Sequence, residues 1–219
     1  MKKLFLCVVL IVGISAIGFP DDGTQGFKYD IWFSTGPAFG NYFINGSNLE
    51  RNYTGSPGFD LSLFTLFGDR NIGFFFNYGI LFPMDTNSGR SHGASVQLDF
   101  ILLGVAFGYN INDALKIYFG IGPDMNMLFL HKKEGSNRTG DYSIALGLGG
   151  NIGLKFKVTD YFIISFGTTL SYNFAAYREI RHNVSFRHYQ YNIESAGWVN
   201  GYSMIGIKPY ISFGVNIAS

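Results

Sequence analysis

Past residue 18 the chain is organised by a period of two, with large apolar side chains at every second position and small or polar ones between them. Successive side chains of a strand point to opposite faces of a sheet, so such runs read as strands. The clearest run is Tyr142 to Val158. Tyr142, Ile144, Leu146, Leu148, Ile152, Leu154, Phe156 and Val158 share one face, and Ser143, Ala145, Gly147, Gly149, Asn151, Gly153, Lys155 and Lys157 the other. The same reading predicts eight strands, at roughly 28–40, 58–68, 72–83, 95–109, 115–129, 142–158, 161–174 and 202–217. The fourth alternates poorly around Ile101-Leu102-Leu103-Gly104, where a bulge is expected.

The connections alternate in length. Residues 68–71, 110–114 and 159–160 make tight turns, whereas 41–57, 84–94, 130–141 and 175–201 are long and polar. Short turns at one rim and long loops at the other are the form of an outer-membrane barrel, with the periplasm on the short side. An even number of strands then places both termini in the periplasm.

Alternation alone also fits a soluble eight-stranded barrel whose apolar face is inside. The polar face separates the two. A solvated exterior would carry many charges, but here that face is mostly Gly, Ser, Asn, Ala and Tyr, which suit the crowded bore of an eight-stranded barrel. The large apolar face is then the lipid face, and the sheet must close, because lipid leaves a free strand edge unsatisfied. Two aromatic belts are expected on it: Tyr29, Phe67, Tyr109 and Phe156 below, and Phe39, Phe59, Phe82, Phe129, Tyr142 and Tyr202 above. The expected fold is therefore an all-β, closed, antiparallel up-and-down transmembrane barrel over residues 19–219.

Composition agrees. Aromatic residues are 18% of the chain and charged ones only 14%, unusual for a soluble surface. The first residues, basic Met1-Lys2-Lys3, then apolar Leu4 to Val12, then small residues to Gly18, read as a cleaved secretory signal over 1–18, with cleavage after Ala16 or Gly18. Removing Lys2 and Lys3 with it takes the 16 basic residues to 14 against 15 acidic ones, a formal charge of about −1. A neutral chain has no electrostatic footprint for nucleic acid. The single cysteine, Cys7, lies inside the leader's apolar core, so the mature chain forms no disulfide and carries no lipid-modified cysteine.

Eight charges fall in the inward phase: Asp30, Asp60, Asp99, Lys116, Asp124, Lys155, Lys157 and Lys208. Strand direction places Asp30, Lys116, Lys155 and Lys157 towards the periplasm and the other four in the outer half. An unpaired ion in a narrow bore costs several kcal/mol. Lys208 is therefore expected to meet Asp60, Asp99 or Asp124, and Asp30 to meet Lys155 or Lys157, with Tyr118 and Tyr210 beside them. Apolar Trp32, Phe64, Leu66, Phe75, Leu81, Ile101, Leu103, Leu128 and Ile163 are also expected inside. The final loop brings Arg178, Arg181 and Arg187 together with Tyr189, Tyr191 and Trp198, a set suited to surface contact with protein or glycan.

Other chemistry is set aside. Gly147 to Gly153 has glycine spacing like a dinucleotide loop but lies in a strand with no helix after it. His92, His131, His182 and His188 fall in the expected outer loops. Pairings such as His92 with Ser95 or Asp85, and His182 with Ser185, match no catalytic spacing. Four Asn-x-Ser/Thr sequons, beginning at Asn45, Asn52, Asn137 and Asn183, read as polar loop sequence. No catalytic residue, cofactor or metal site is assigned.

The chain resembles the small eight-stranded outer-membrane barrels of the OmpA/OmpX/OmpW-like type across residues 28–217. The likeness is carried by Val96-Gln97-Leu98-Asp99-Phe100-Ile101-Leu102-Leu103-Gly104, then Tyr118-Phe119-Gly120-Ile121-Gly122-Pro123, and by Asn151-Ile152-Gly153-Leu154-Lys155-Phe156. It implies a multi-pass protein of the Gram-negative outer membrane, in contact with lipopolysaccharide or an equivalent outer-leaflet lipid and inserted by barrel-assembly machinery. Members stabilise the envelope, adhere to hosts or pass small apolar molecules. The expectation is a structural or surface-interaction barrel, and the alternative is a narrow conduit for small, mainly apolar solutes. One departure concerns the terminal aromatic used in assembly: the last aromatic here is Phe213, before Val215-Asn216-Ile217-Ala218-Ser219.

Overall fold

The computed structural model describes residues 28–46, 51–83, 95–134, 137–182 and 192–218; the expected leader lies outside them. Nine antiparallel strands form one sheet: β1 (Tyr29–Asn45), β2 (Arg51–Phe67), β3 (Ile72–Leu81), β4 (Ser95–Asn110), β5 (Leu115–Glu134), β6 (Asn137–Lys157), β7 (Phe162–His182), β8 (Asn192–Trp198) and β9 (Ser203–Ala218). Neighbours in sequence pair from β1 to β7, and β9 lies between β7 and β1, which closes the sheet. β8 pairs with the far end of β7, Tyr177 to His182. The closed wall thus has eight strands, and β8 continues the eighth outward beyond a break at 199–202.

The faces separate by polarity and size. Asp60, Ser62, Phe64 and Leu66 of β2 and Phe75, Asn77 and Leu81 of β3 are buried in the bore. Phe59, Phe74, Ile121, Leu148, Ile152, Phe174, Val215 and Ile217 are exposed on the outer wall, Phe74 at 63%. An exposed apolar surface this continuous marks contact with a nonaqueous partner, and it rules out the lipocalin-like arrangement, in which this face would be inside. Glycine makes the bore passable for rings. A Cβ on Gly206 would stand 2.1 Å from the Tyr42 ring, and one on Gly120 2.5 Å from Phe75.

The short turns are built locally. Gly68 and Asn71 adopt positive φ of 64° and 48°, the region that glycine and asparagine tolerate best. Asn112 Oδ1 accepts from the backbone N–H groups of Ala114 and Leu115 at 2.9 and 2.8 Å, an Asx-type turn.

At the other rim the strands run farther than alternation indicates. β1 and β2 reach Asn45 and Arg51, β5 and β6 reach Glu134 and Asn137, and β7 reaches His182. Much of 41–57, 130–141 and 175–201 is therefore ladder. Here the inward face is itself partly apolar, with Tyr42, Ile44, Tyr53, Leu130 and Ala176 buried, so polarity no longer separates the faces while backbone pairing continues. Register shifts at Gly40/Tyr42, Leu146/Gly147 and Ile180/Arg181 also reset the phase there.

Several expected orientations are corrected. The pairing of β4 with β3 and β5 keeps one register throughout, so the expected bulge is absent. Leu98, Phe100, Leu102 and Ala106 are the buried, inward set. Ile101, Leu103 and Asp99 alternate with them and face outward, with Leu103 at 49% exposure. Polarity could not mark the faces of β4 because its inward positions are themselves apolar. Tyr202, expected in the upper belt, is buried, and its hydroxyl meets Met204 Sδ at 3.6 Å.

Candidate functional site: the charged and aromatic bore

The half of the bore away from the short turns is organised around Lys208 on β9 and Asp60 on β2. They form an ion pair with side-chain exposures of 1% and 0%. Asn77 on β3 joins both, donating to Asp60 at 2.9 Å and accepting from Lys208 Nζ at 2.9 Å. Ser62 donates to Asp60 at 2.8 Å, and the Lys208 ammonium lies 5.0 Å from the Phe100 ring centre. Both oxygens of the carboxylate are engaged, the condition under which a buried pair is tolerated.

A chain of polar contacts leads on from this cluster. Thr169 Oγ1 donates to Asn77 at 3.3 Å and accepts from Asn151 at 3.2 Å. Tyr210 donates to Asn151 at 2.9 Å, and its oxygen lies 2.9 Å from the Tyr118 hydroxyl. Tyr118 is edge-on to Trp32 and Phe64, centroids 5.4 and 4.7 Å away. Trp32 and Phe64 stack at 4.7 Å, and Phe64 stacks on Phe75 at 5.3 Å. This set of rings from β1, β2, β3 and β5 fills the middle of the bore.

Towards the short turns, Asp30 on β1 binds two lysines. Lys155 Nζ donates to its two oxygens at 2.6 and 2.7 Å and to Asn216 at 2.8 Å, and lies 4.2 Å from the Trp32 ring centre. Lys116 also contacts Asp30 and donates to Asn71 at 2.9 Å. A cavity of about 420 Å³ opens beside them, lined in part by Lys28, Asp69, Asn112 and Lys157. Lys157 sits at the rim and pairs with Asp160 at 2.9 Å. Lys28 donates to Asp69 at 2.7 Å, and this hydrogen bond holds the Asp69 carboxyl below its ordinary range.

Asp124 is buried with no basic group within ion-pair distance among the described residues. It accepts from Asn173 at 2.9 Å and contacts Asn126. Asparagines at inward positions 77, 126, 151, 173 and 216 thus carry much of the network. They share the inward phase with the charged residues, the one sequence signal that could have found them.

The arginines of the last connection separate. Asp141 faces Arg178 in a two-point contact, Nε–Oδ1 2.9 Å and Nη2–Oδ2 2.8 Å. Arg178 is opposite Ser143, on the same face as buried Ala176, and so guards the mouth of the bore. Arg181 is on the opposite face, 2.5 Å from Glu179 and 4.6 Å from the Tyr142 ring. Trp198 is exposed and meets Tyr177 edge-on at 5.8 Å. His182 lies 2.7 Å from Glu194, and His131 packs edge-on to Tyr142 at 5.4 Å. Arg187, Tyr189, Tyr191, His92 and His188 lie outside the described residues.

No protein-family model matches the sequence, and no curated protein matches it either. Solved structures do match. A major outer membrane protein from Thermus thermophilus superposes with a TM-score of 0.59 at 11% identity, covering 88% of this chain and 100% of that one. The outer membrane protein OprG from Pseudomonas aeruginosa gives 0.54 at 13%, covering 87% and 96%. At such identities the likeness carries the fold. The chain is a transmembrane-type β-barrel with the fold of the small eight-stranded outer-membrane barrels.

Proposed function

We propose that the protein is a structural or surface-interaction barrel of the outer membrane, concerned with envelope integrity or adhesion, and that its bore is closed. The observation that carries this reading is the occupation of the bore by the Lys208–Asp60–Asn77 cluster and the ring stack beneath it. An open channel would hold water at that depth. Outside, the ladder of β5, β6, β7 and β8 stands beyond the closed ring and offers Trp198, Tyr177 and the Glu179–Arg181 pair to a protein or glycan. Lipopolysaccharide or an equivalent lipid would meet the outer wall, and barrel-assembly machinery would insert it. The reading assigns no catalysis.

A conduit for small apolar solutes is the second reading. It draws support from the apolar lining of the outer half, where Leu81, Leu98, Phe100, Leu128, Leu130 and Met204 form one buried cluster.

The proposed orientation puts the extended strands outside and both termini in the periplasm. Protease added to intact cells should cut within 175–201, after its arginines, and leave the turn at 159–160 intact until the membrane is opened. Cleavage confined to the short turns would reverse the orientation.

A further inference from the structure

Asp99 is the anomaly of the outer wall. Its neighbours Leu98 and Phe100 are fully buried in the bore, so its own side chain leaves the opposite face. In the ladder it is level with Ile80 and Met127, one step below outward Phe129, which pairs with Gln97. That places a carboxylate just under the outer aromatic level, where the proposed membrane face begins. It is not free in water either, with 8% exposure. Gln97 Nε2 donates to Oδ1 at 2.8 Å and the Tyr78 hydroxyl to Oδ2 at 3.4 Å. Among the described residues, Asp30, Asp60 and Asp141 each meet a cation, but no basic group lies within ion-pair distance of Asp99.

A sheltered, unpaired ionisable group at the membrane face is costly and marks a site. Here it has room for a partner. A cavity of about 360 Å³ opens over it, lined by Phe82, Val96, Gln97, Asp99, Phe129 and His131. A carboxylate beside two aromatic rings is complementary to an ammonium group, which gains from the charge and from the ring faces. The apolar wall around it suits a hydrocarbon tail.

We propose that this pocket binds the protonated amine of an amphiphile in the outer leaflet, with the ammonium on Asp99 and its first methylenes between Phe82 and Phe129. The proposal rests on the lipid-facing placement of the wall given above. An anionic head group is excluded by the same carboxylate.

Methionine methyl NMR tests it. Met127 lies opposite Asp99 on the outward face, while Met204 is buried in the bore. The protein, carbon-13-labelled at its methionine methyls and assigned with Met127→Leu, is held in dodecyl maltoside micelles. Dodecylammonium, dodecyl sulfate and calcium chloride are titrated in separately. Dodecylammonium should shift the Met127 methyl saturably and leave Met204 in place. Asp99→Asn, which keeps the size of the side chain, should weaken that response by about tenfold or more. An equal response to the sulfate, a shift that never saturates in either protein, or saturation by calcium with no amine effect would each overturn the ammonium site. Failure of the wild-type barrel to enter micelles would instead remove the lipid-facing reading beneath it.

Discussion

Replacing Lys208 by methionine should destabilise the folded barrel by about 3–5 kcal/mol, the cost of leaving a buried carboxylate without its counter-ion. Asp60 is fully enclosed, and its remaining partners, Asn77 and Ser62, are neutral donors that cannot replace an ammonium. The neighbouring Phe100 ring offers nothing to an anion. Adding Asp60→Leu to Lys208→Met should recover most of the loss, because removing both members of a buried pair is often neutral. Urea titration of the barrel folded into phosphatidylcholine vesicles measures both. A single-variant loss below about 1 kcal/mol, the range of an exposed pair, would mean that water reaches the site and that the bore is open there.

Arginine on the outer wall should cost nearly as much. Leu148 is 57% exposed and lies between Tyr142 and Phe156 on the outward face of β6. Leu148→Arg should lose about 2–4 kcal/mol if that position is near the bilayer midplane. Ser195→Arg, on the exposed continuation β8, should stay within about 0.5 kcal/mol. The contrast is the informative quantity, because an exposed position on a soluble barrel would accept arginine at both sites. Equal tolerance in vesicle-bound protein would contradict a lipid-facing wall.

How much of this was legible in the sequence depended on what each face touches. Along β6, lipid on one side and a crowded bore on the other impose alternation at almost every step, and Tyr142 to Val158 shows it without help. β4 faces lipid on one side and an apolar stretch of bore on the other. Leu98, Phe100 and Leu102 therefore look like Ile101 and Leu103, and the pattern puts Asp99 on the inward face although it lies on the outward one. Past the outer aromatic level polarity no longer separates the faces, so the ladders of β7 and β8 read as loop. The register shift opposite Leu146 leaves Phe174 unpaired and inverts the phase after it. Arg178 is thereby turned to the bore side, and Arg181, three positions on, falls on the opposite face. The inward phase of Lys208 follows from its own strand, but its partner does not. Which of three aspartates it meets is decided by the stagger between strands, and that is a property of closure rather than of any one segment.

The closed bore is the central claim, and ion conductance tests it most directly. The purified protein, reconstituted in a planar lipid bilayer under applied voltage, should give no current steps above those of the bare bilayer. On the proposed reading, the buried Lys208–Asp60–Asn77 cluster and the Trp32, Phe64, Phe75 and Tyr118 rings block the path between the two mouths. Reproducible, sustained single-channel steps from the folded wild-type barrel would contradict this and make the conduit the correct reading.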